Sequence, residues 1–587
     1  MRLFALAVAS LCACTSSSRP EETAPSIQKV AMKREMPAEK KAEPIAASPK
    51  VAPESALLDA LGTSGGGTKF SPATADALKG GGRMNGIGAM GSAGAMGSMG
   101  LGGMGTRGLV GGLAGKGGGA GFGMAVAAPG DGVDSSESYG DYGVNAWTLA
   151  EKDHLSTFAA DVDTASYTVA RRKLLSGALP PSESVRVEEF VNYFRYSYPQ
   201  PVDGALGVTM EAAPSPFSPG KHLLRVGVQG KRLTMSERKP AHLTFLVDVS
   251  GSMQSADKLP LAQRALRLLV DSLHDGDTVA LVTYAGAVRL VLPHTGMEKK
   301  AQIHDAIASL TAGGSTAMAS GIELAYQQAT KVLDGQSLSR VVILSDGDAN
   351  VGPTGPAAIL ELIAGHVKEG VSVTTVGFGM GNYKDDVMEQ FANKGNGNHS
   401  YVDSLFEAKR IFQTELGGTL EVIAQDVKLQ VDFDPAQVKR YRLIGYENRD
   451  IADRDFRNDK VDAGEIGSGH TVTAMYEVEL QPGAGDKLCT VRVRAKKARG
   501  TEASEAAFPF KASMLSSRFD SASDDFRFTT SVVGAAELFR QSEHARGWNL
   551  DAMLEIARSA RGTAADRAEF VSLLEKARPV IKAVAVR

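Results

Sequence analysis

Ala241-His-Leu-Thr-Phe-Leu-Val-Asp248-Val-Ser250-Gly-Ser252-Met253 decides the fold. An apolar run of strand length ends in an aspartate, and two serines follow at alternate positions before a helical pattern takes over at 261–273. A continuous apolar strand suits the centre of a parallel sheet that is covered on both faces. Outward from this strand the same alternation repeats. Strands are predicted at 278–284, 341–344 and 371–376, and helices at 302–310, 319–332 and 357–367. This is the doubly wound, Rossmann-like α/β pattern, whose ligand sites lie beyond the carboxyl ends of the strands.

Three polar clusters fall on such ends: Asp248, Ser250 and Ser252; Thr316, after Gly313-Gly314-Ser315; and Asp346, before Gly347. Each alone reads as helix-capping chemistry, because Asp, Ser and Thr after a strand are favoured N-caps. Together, in order on loops of one sheet, they read as a cation site. Mg²⁺ takes about six oxygen ligands in near-octahedral geometry at roughly 2.1 Å and keeps several waters. Three hydroxyls and two carboxylates with waters satisfy it. If both carboxylates act through water the ion stays electrophilic, and one position can accept a carboxylate from another molecule. The expected cofactor is therefore a divalent cation, Mg²⁺, with Mn²⁺ or Ca²⁺ as alternatives.

Asp248-x-Ser250-x-Ser252, Thr316 and Asp346-Gly347 resemble the metal-ion-dependent adhesion site of von Willebrand factor type A (VWA) domains. The segments Val376-Gly-Phe-Gly-Met-Gly-Asn-Tyr, Lys394-Gly-Asn-Gly-Asn and Asp161-Val-Asp-Thr-Ala-Ser-Tyr narrow the likeness to bacterial, often lipid-anchored, VWA proteins with flanking N- and C-terminal regions. The resemblance covers about 139–576. It implies that Ser250, Ser252 and Thr316 ligate the ion directly, that Asp248 and Asp346 do so through water, and that the partner is a protein supplying an Asp or Glu. Ser315 is inserted where many members have Gly-Gly-Thr, which leaves it as an alternative ligand; the spacing to Ile322 favours Thr316.

Alternating apolar residues at 206–229, 427–433, 471–480 and 489–495 predict strands before and after the α/β region. The VWA domain is thus expected to be inserted in a β-sandwich. The expected organisation is a signal peptide at 1–13, a disordered Gly/Met/Ser/Pro-rich tether at 14–141, an N-terminal helical segment at 142–200, sandwich strands at 201–238, the VWA domain at 239–417, more sandwich at 418–515 and a helical C-terminal segment at 516–587. Asp163 or Thr164 is expected to cap the first helix, with a second cation site at Asp161, Asp163 and Ser166 as the alternative. Lys384-Asp385-Asp386 is placed at the rim of the ligand surface. The aspartates of 448–462, interleaved with arginines, read as a solvated, self-paired loop.

The apolar run at 3–13 is too short to span a bilayer and matches an export signal. Leu11-Cys12-Ala13-Cys14 resembles the lipobox of bacterial lipoproteins, which implies lipidation of Cys14, with Cys12 as a weaker acceptor, and attachment to the membrane through a lipid anchor. Thr15 in place of Asp implies the outer membrane. The expected location is the cell envelope. The three cysteines, Cys12, Cys14 and Cys489, leave no intramolecular disulfide in a chain beginning at Cys14. Of the 65 glycines, 21 fall between Gly80 and Met124, so the remainder is ordinary in composition and, at 43% hydrophobic overall, can build large cores. With 64 basic against 67 acidic residues and no basic cluster, nucleic acid is excluded as a partner. No H-E-x-x-H, Gly-x-Ser-x-Gly or Walker pattern is present, and hydroxyl-rich coordination suits docking better than water activation. The chain is expected not to be an enzyme. The alternatives are a structural envelope protein whose cation only stiffens loops, and a metal-dependent hydrolase.

Overall fold

In the computed structural model, which describes residues 137–585 apart from 235, 316, 348–355, 382, 416–417, 419 and 499, the chain first runs through two short strands, β1 (Thr148–Leu149) and β2 (Leu155–Ala159). Helices α1 (Ala165–Leu175) and α2 (Val187–Asn192) follow, then strands β3 (Leu206–Pro214) and β4 (His222–Gly230). The segment expected to be purely helical therefore also gives a strand to each sheet of the sandwich. These strands are too short for alternation to reveal them. The expected signal peptide, residues 14–136 of the expected tether, Cys14 and Thr316 lie outside the described residues; the end of that tether is described and ordered, with the Ser138 amide donating to the Tyr383 carbonyl at 3.1 Å and Glu137 pairing with Lys173 at 2.7 Å.

The α/β domain contains β5 (Ala241–Asp248), α3 (Leu259–Asp271), β6 (Thr278–Tyr284), β7 (Val288–Gly296), α4 (Lys300–Ala308), α5 (Met318–Thr330), β8 (Leu338–Ser345), α6 (Pro356–Glu369), β9 (Val371–Phe378), α7 (Asp385–Lys394), β10 (His399–Val402) and α8 (Leu405–Lys409). The sheet order is β10-β9-β8-β5-β6-β7, parallel throughout except for β7, which turns back along β6. β5 lies at the centre and is buried on both faces. Leu243, Phe245 and Val247 pack with Ala262, Leu266 and Leu269 of α3 on one face, and Leu246 packs with Ile322, Ala325 and Tyr326 of α5 on the other. The edge strands β7 and β10 and helix α7 had no clear signal in the sequence. β7 carries Pro293 and exposed positions, as an edge strand tolerates.

The remaining strands are β11 (Val422–Phe433), β12 (Val438–Ile444), β13 (Gly464–Gly467), β14 (Thr471–Leu480), β15 (Lys487–Lys497) and β16 (Ala503–Lys511). One antiparallel sheet runs β1-β12-β14-β4-β3 and the other β13-β11-β15-β16, with β2 and β13 sharing one edge of β11. β4, before the α/β domain, pairs with β14, after it, placing Val228 opposite Val472 and Leu224 opposite Tyr476. That register makes the α/β domain an insertion. Val226, Leu429, Val431, Tyr476 and Val491 from both sheets form one core.

Helices α9 (Asp524–Phe539), α10 (Leu550–Ala560) and α11 (Ala565–Ala585) close the chain. Ser523 accepts from the Phe526 amide and starts α9. Their apolar faces meet α1 and α2 in an aromatic core, where Phe194 stands edge-on to Phe528 at 5.0 Å and Tyr167 stacks on Tyr193 at 4.0 Å.

Candidate cation site at the carboxyl end of the sheet

Asp248 is the last residue of β5, and its carboxylate folds back on the chain, with Oδ1 accepting the Ser250 amide at 2.8 Å. Such an Asx-type turn ends the strand and lifts the two serines above it. Their hydroxyl oxygens lie 3.0 Å apart. Two oxygens on adjacent vertices of an octahedron about 2.1 Å from its centre are separated by about 3.0 Å, so the pair has the spacing of one edge of a Mg²⁺ shell. The loop that carries the next predicted ligand is tied to this one by its backbone. The Gly251 amide donates to the Gly314 carbonyl at 3.0 Å, and the Gly313 amide to the Val249 carbonyl at 2.8 Å.

β8 lies beside β5, with Leu344 opposite Val247, so Ser345 and Asp346 emerge next to Asp248. Asp248 Oδ2 accepts from the Ser345 hydroxyl at 3.0 Å and the Tyr284 hydroxyl at 3.1 Å. Both carboxylates are fully buried. Burial, opposed by the hydroxyl and amide donors and reinforced by the charge of Asp346, pushes the Asp248 carboxyl up to about 6. Asp346 has a countercharge: Lys258 Nζ donates to its Oδ2 at 2.9 Å, with both side chains buried. Two carboxylates against one ammonium leave a net negative, water-poor spot lined by hydroxyls. Gly347 adopts φ +74°, and a Cβ there would stand 2.6 Å from the Lys384 amide nitrogen, so the turn after Asp346 admits only glycine.

The structure thus brings together four of the five predicted ligands, Asp248, Ser250, Ser252 and Asp346. The Ser315 hydroxyl, the alternative to Thr316, lies over the Gly286 turn, 3.5 Å from where a Cβ on that glycine would stand. Three participants were missed: Lys258, Tyr284 and Ser345. Tyr284 and Ser345 end strands of the same sheet and Lys258 immediately precedes α3, so their place in the topology was the available signal. The donor set of hydroxyl and carboxylate oxygens fits a hard cation such as Mg²⁺, Mn²⁺ or Ca²⁺. Among the described residues no three His, Cys, Asp or Glu side chains gather in a metal-binding group, so hydroxyls have to complete any shell here.

Three expectations are corrected. Asp385 does not rim the ligand surface; its side chain is buried and pairs with Arg186 at 2.7 Å and His399 at 3.2 Å. Asp161, Asp163 and Ser166 form no cation site, because Arg449 reaches both aspartates at 3.1 Å and Ser166 Oγ donates to the Ser184 carbonyl. A guanidinium already stands where an ion was the alternative. Nor does Asp163 or Thr164 cap α1; Asp163 accepts the His399 amide at 2.7 Å, and the Ser166 amide at the helix start donates to Glu189 at 2.8 Å.

Residues 242–414 match the family model of the von Willebrand factor type A domain, and residues 133–225 match a model described as von Willebrand factor. Fold and match together make the inserted unit a VWA domain. Residues 418–487 and 480–580 match the model for the C-terminal region of the uncharacterized protein YfbK. The chain is 37% identical over 468 residues to YfbK of Escherichia coli (strain K12), which is 75% of this chain and 80% of the other, and it belongs to the YfbK family. Among solved structures, a von Willebrand factor type A protein from Catenulispora acidiphila is 17% identical, covering 65% of this chain and 91% of its own, with a TM-score of 0.40. Proximal thread matrix protein 1 from the mussel byssus, solved with a zinc-occupied MIDAS motif, is 23% identical, covering 30% of this chain and 45% of its own, with a TM-score of 0.26.

Proposed function

We propose that this chain is a cell-envelope lipoprotein whose VWA domain docks protein partners, without catalysis, through a divalent cation at Asp248, Ser250, Ser252, Thr316 and Asp346. One observation carries this reading. Four of these side chains converge at the carboxyl end of one sheet, with two hydroxyls at the edge spacing of a Mg²⁺ octahedron. When bound, the ion would supply Lewis acidity toward an incoming Asp or Glu carboxylate. The serine hydroxyls would hold it, and Asp248, already committed to three neutral donors, would act through water. Direct ligation by neutral hydroxyls leaves most of the ionic charge for the visitor.

A merely loop-stiffening cation is disfavoured, because backbone hydrogen bonds between the 249–251 and 313–314 loops already join them. The test is capture of envelope proteins on the immobilised protein in Mg²⁺, with elution by EDTA, repeated with Asp248→Ala. The expected result is cation-dependent capture that the variant loses. Capture indifferent to both EDTA and the variant sinks the docking role, and a lowered melting temperature in EDTA with no partner lost selects the structural alternative. For the anchor, Cys14→Ser is expected to move the protein from the membrane fraction to the soluble fraction.

A further inference from the structure

The buried arginines of this protein follow a rule. Arg171 meets Asp403, Glu407 and Glu569; Arg186 meets Glu189 and Asp385; Arg225 meets Glu211; Arg442 meets Glu477 and Glu537; Arg540 meets Glu447 and Glu537; Arg567 meets Asp525. Arg340 breaks it. It sits near the start of β8 and is only 3% exposed. Among the described residues its guanidinium makes one hydrogen bond, from Nη1 to the Thr374 hydroxyl, and forms no ion pair. Glu465 acts on it at longer range, too weakly to offset burial, which pushes its pKa down to about 10.

The side chain opens on a cleft of about 520 Å³, where the starts of β8 and β9 face the chain leaving the VWA domain for β11. Lys239, Lys368 and Ser372 line it beside Arg340, with Leu338 and Leu420 as apolar wall. Two acids share the lining: Glu369 pairs with His366 at 2.8 Å, and Glu421 accepts the Lys239 amide at 3.3 Å while keeping its charge, against the three cations Arg340, Lys239 and Lys368. A buried guanidinium without an ion-pair partner is costly, and its planar fork matches the two oxygens of a carboxylate or phosphate. The volume is that of an ordinary small-molecule site. We propose that the Arg340 cleft, at the end of the sheet opposite the cation site, binds an oxyanion, the carboxylate or phosphate group of a small molecule. This inference stands independently of cation-dependent docking.

The test is calorimetric titration of the intact protein with inorganic phosphate and, separately, with succinate, against chloride at matched ionic strength. Saturable binding of one of them is expected, and which one distinguishes the two sources. Arg340→Met is expected to weaken it at least tenfold while melting in chloride buffer at or above the wild-type temperature, since an uncompensated charge has been removed. No saturable binding of either anion, or equal binding by the variant, overturns the site. If Arg340→Met does not fold, the pair Lys239→Glu and Lys368→Glu at the exposed mouth decides: a loss of affinity of fivefold or more supports the site and an unchanged affinity overturns it.

Discussion

The cation site and the seam between the domains both bury aspartates that follow strands, yet they treat them in opposite ways. At the seam every such carboxylate has an arginine built in. Arg449 holds Asp161 and Asp163, and Arg171 holds Asp403 at 2.5 Å and Glu407 at 2.9 Å while also reaching Glu569 of the last helix. At the site Asp248 accepts from neutral donors, Ser250, Tyr284 and Ser345, and Asp346 meets Lys258. A buried carboxylate that the fold neutralises is structural, and one left short of positive charge is poised for an ion from outside. The difference separates glue from function where residue type alone cannot.

The comparison can be broken at its strongest point first. Arg171→Met strands the nearly fully buried Asp403 between α1 and the VWA domain and removes one of the arginines on the fully buried Glu407, which Arg410 still holds at 2.6 Å, and should cost about 3–5 kcal/mol of stability, read from the denaturant midpoint. A loss under about 1 kcal/mol would mean that the seam is not what joins the two parts. Asp248→Asn should behave inversely, weakening Mg²⁺ binding about 100-fold, or roughly 2.7 kcal/mol, while leaving stability in EDTA unchanged or higher. Calorimetry and melting in EDTA check both halves. Lys258→Met removes an ammonium that competes for Asp346, and Mg²⁺ should then bind about tenfold more tightly; weaker binding would show that the lysine orients Asp346 instead of opposing the ion.

Glu465 shows a third way to bury a carboxylate, with Arg340 and Arg449 acting on it at a distance and no ion pair among the described residues. Its Oε1 is buried without a partner, and burial, helped by Asp462 and Asp426, pushes its pKa up to about 8. The folded chain therefore keeps a proton that the unfolded chain releases near 4.5. Stability from this group is fully present below about pH 4.5, falls as pH rises to about 8, and is lost above, by at most about 1.4 kcal/mol per pH unit. Glu465→Gln should flatten that slope, as denaturant midpoints across the window will show.

Much of this was legible in the chain. The β5 run and its Asp-x-Ser-x-Ser ending announced the parallel sheet and the place of its site, because two-sided burial writes itself as unbroken apolar sequence. The strands flanking the insertion were legible from period-two alternation. Lys258, Tyr284 and Ser345 were not, since nothing in a lysine ahead of an apolar helix, or a tyrosine and a serine ending strands, says which carboxylate they will reach. Asp163 and Asp385 were misread for the same reason: Arg449 and Arg186 arrive from far along the chain. Edge strand β7 escaped because only two of its nine positions, Leu292 and Thr295, are buried.

The sequence by itself determined the α/β insertion, the ligand types and their order, because periodicity and strand-end chemistry are local properties. Only the tertiary structure decided which buried charges are already paired, and so which remain for a visitor. Pairing depends on where distant guanidinium and ammonium groups come to rest. Asp248 and Asp163 look alike in the chain, and Arg340 looks like any other arginine; packing alone gives one a partner and leaves another without.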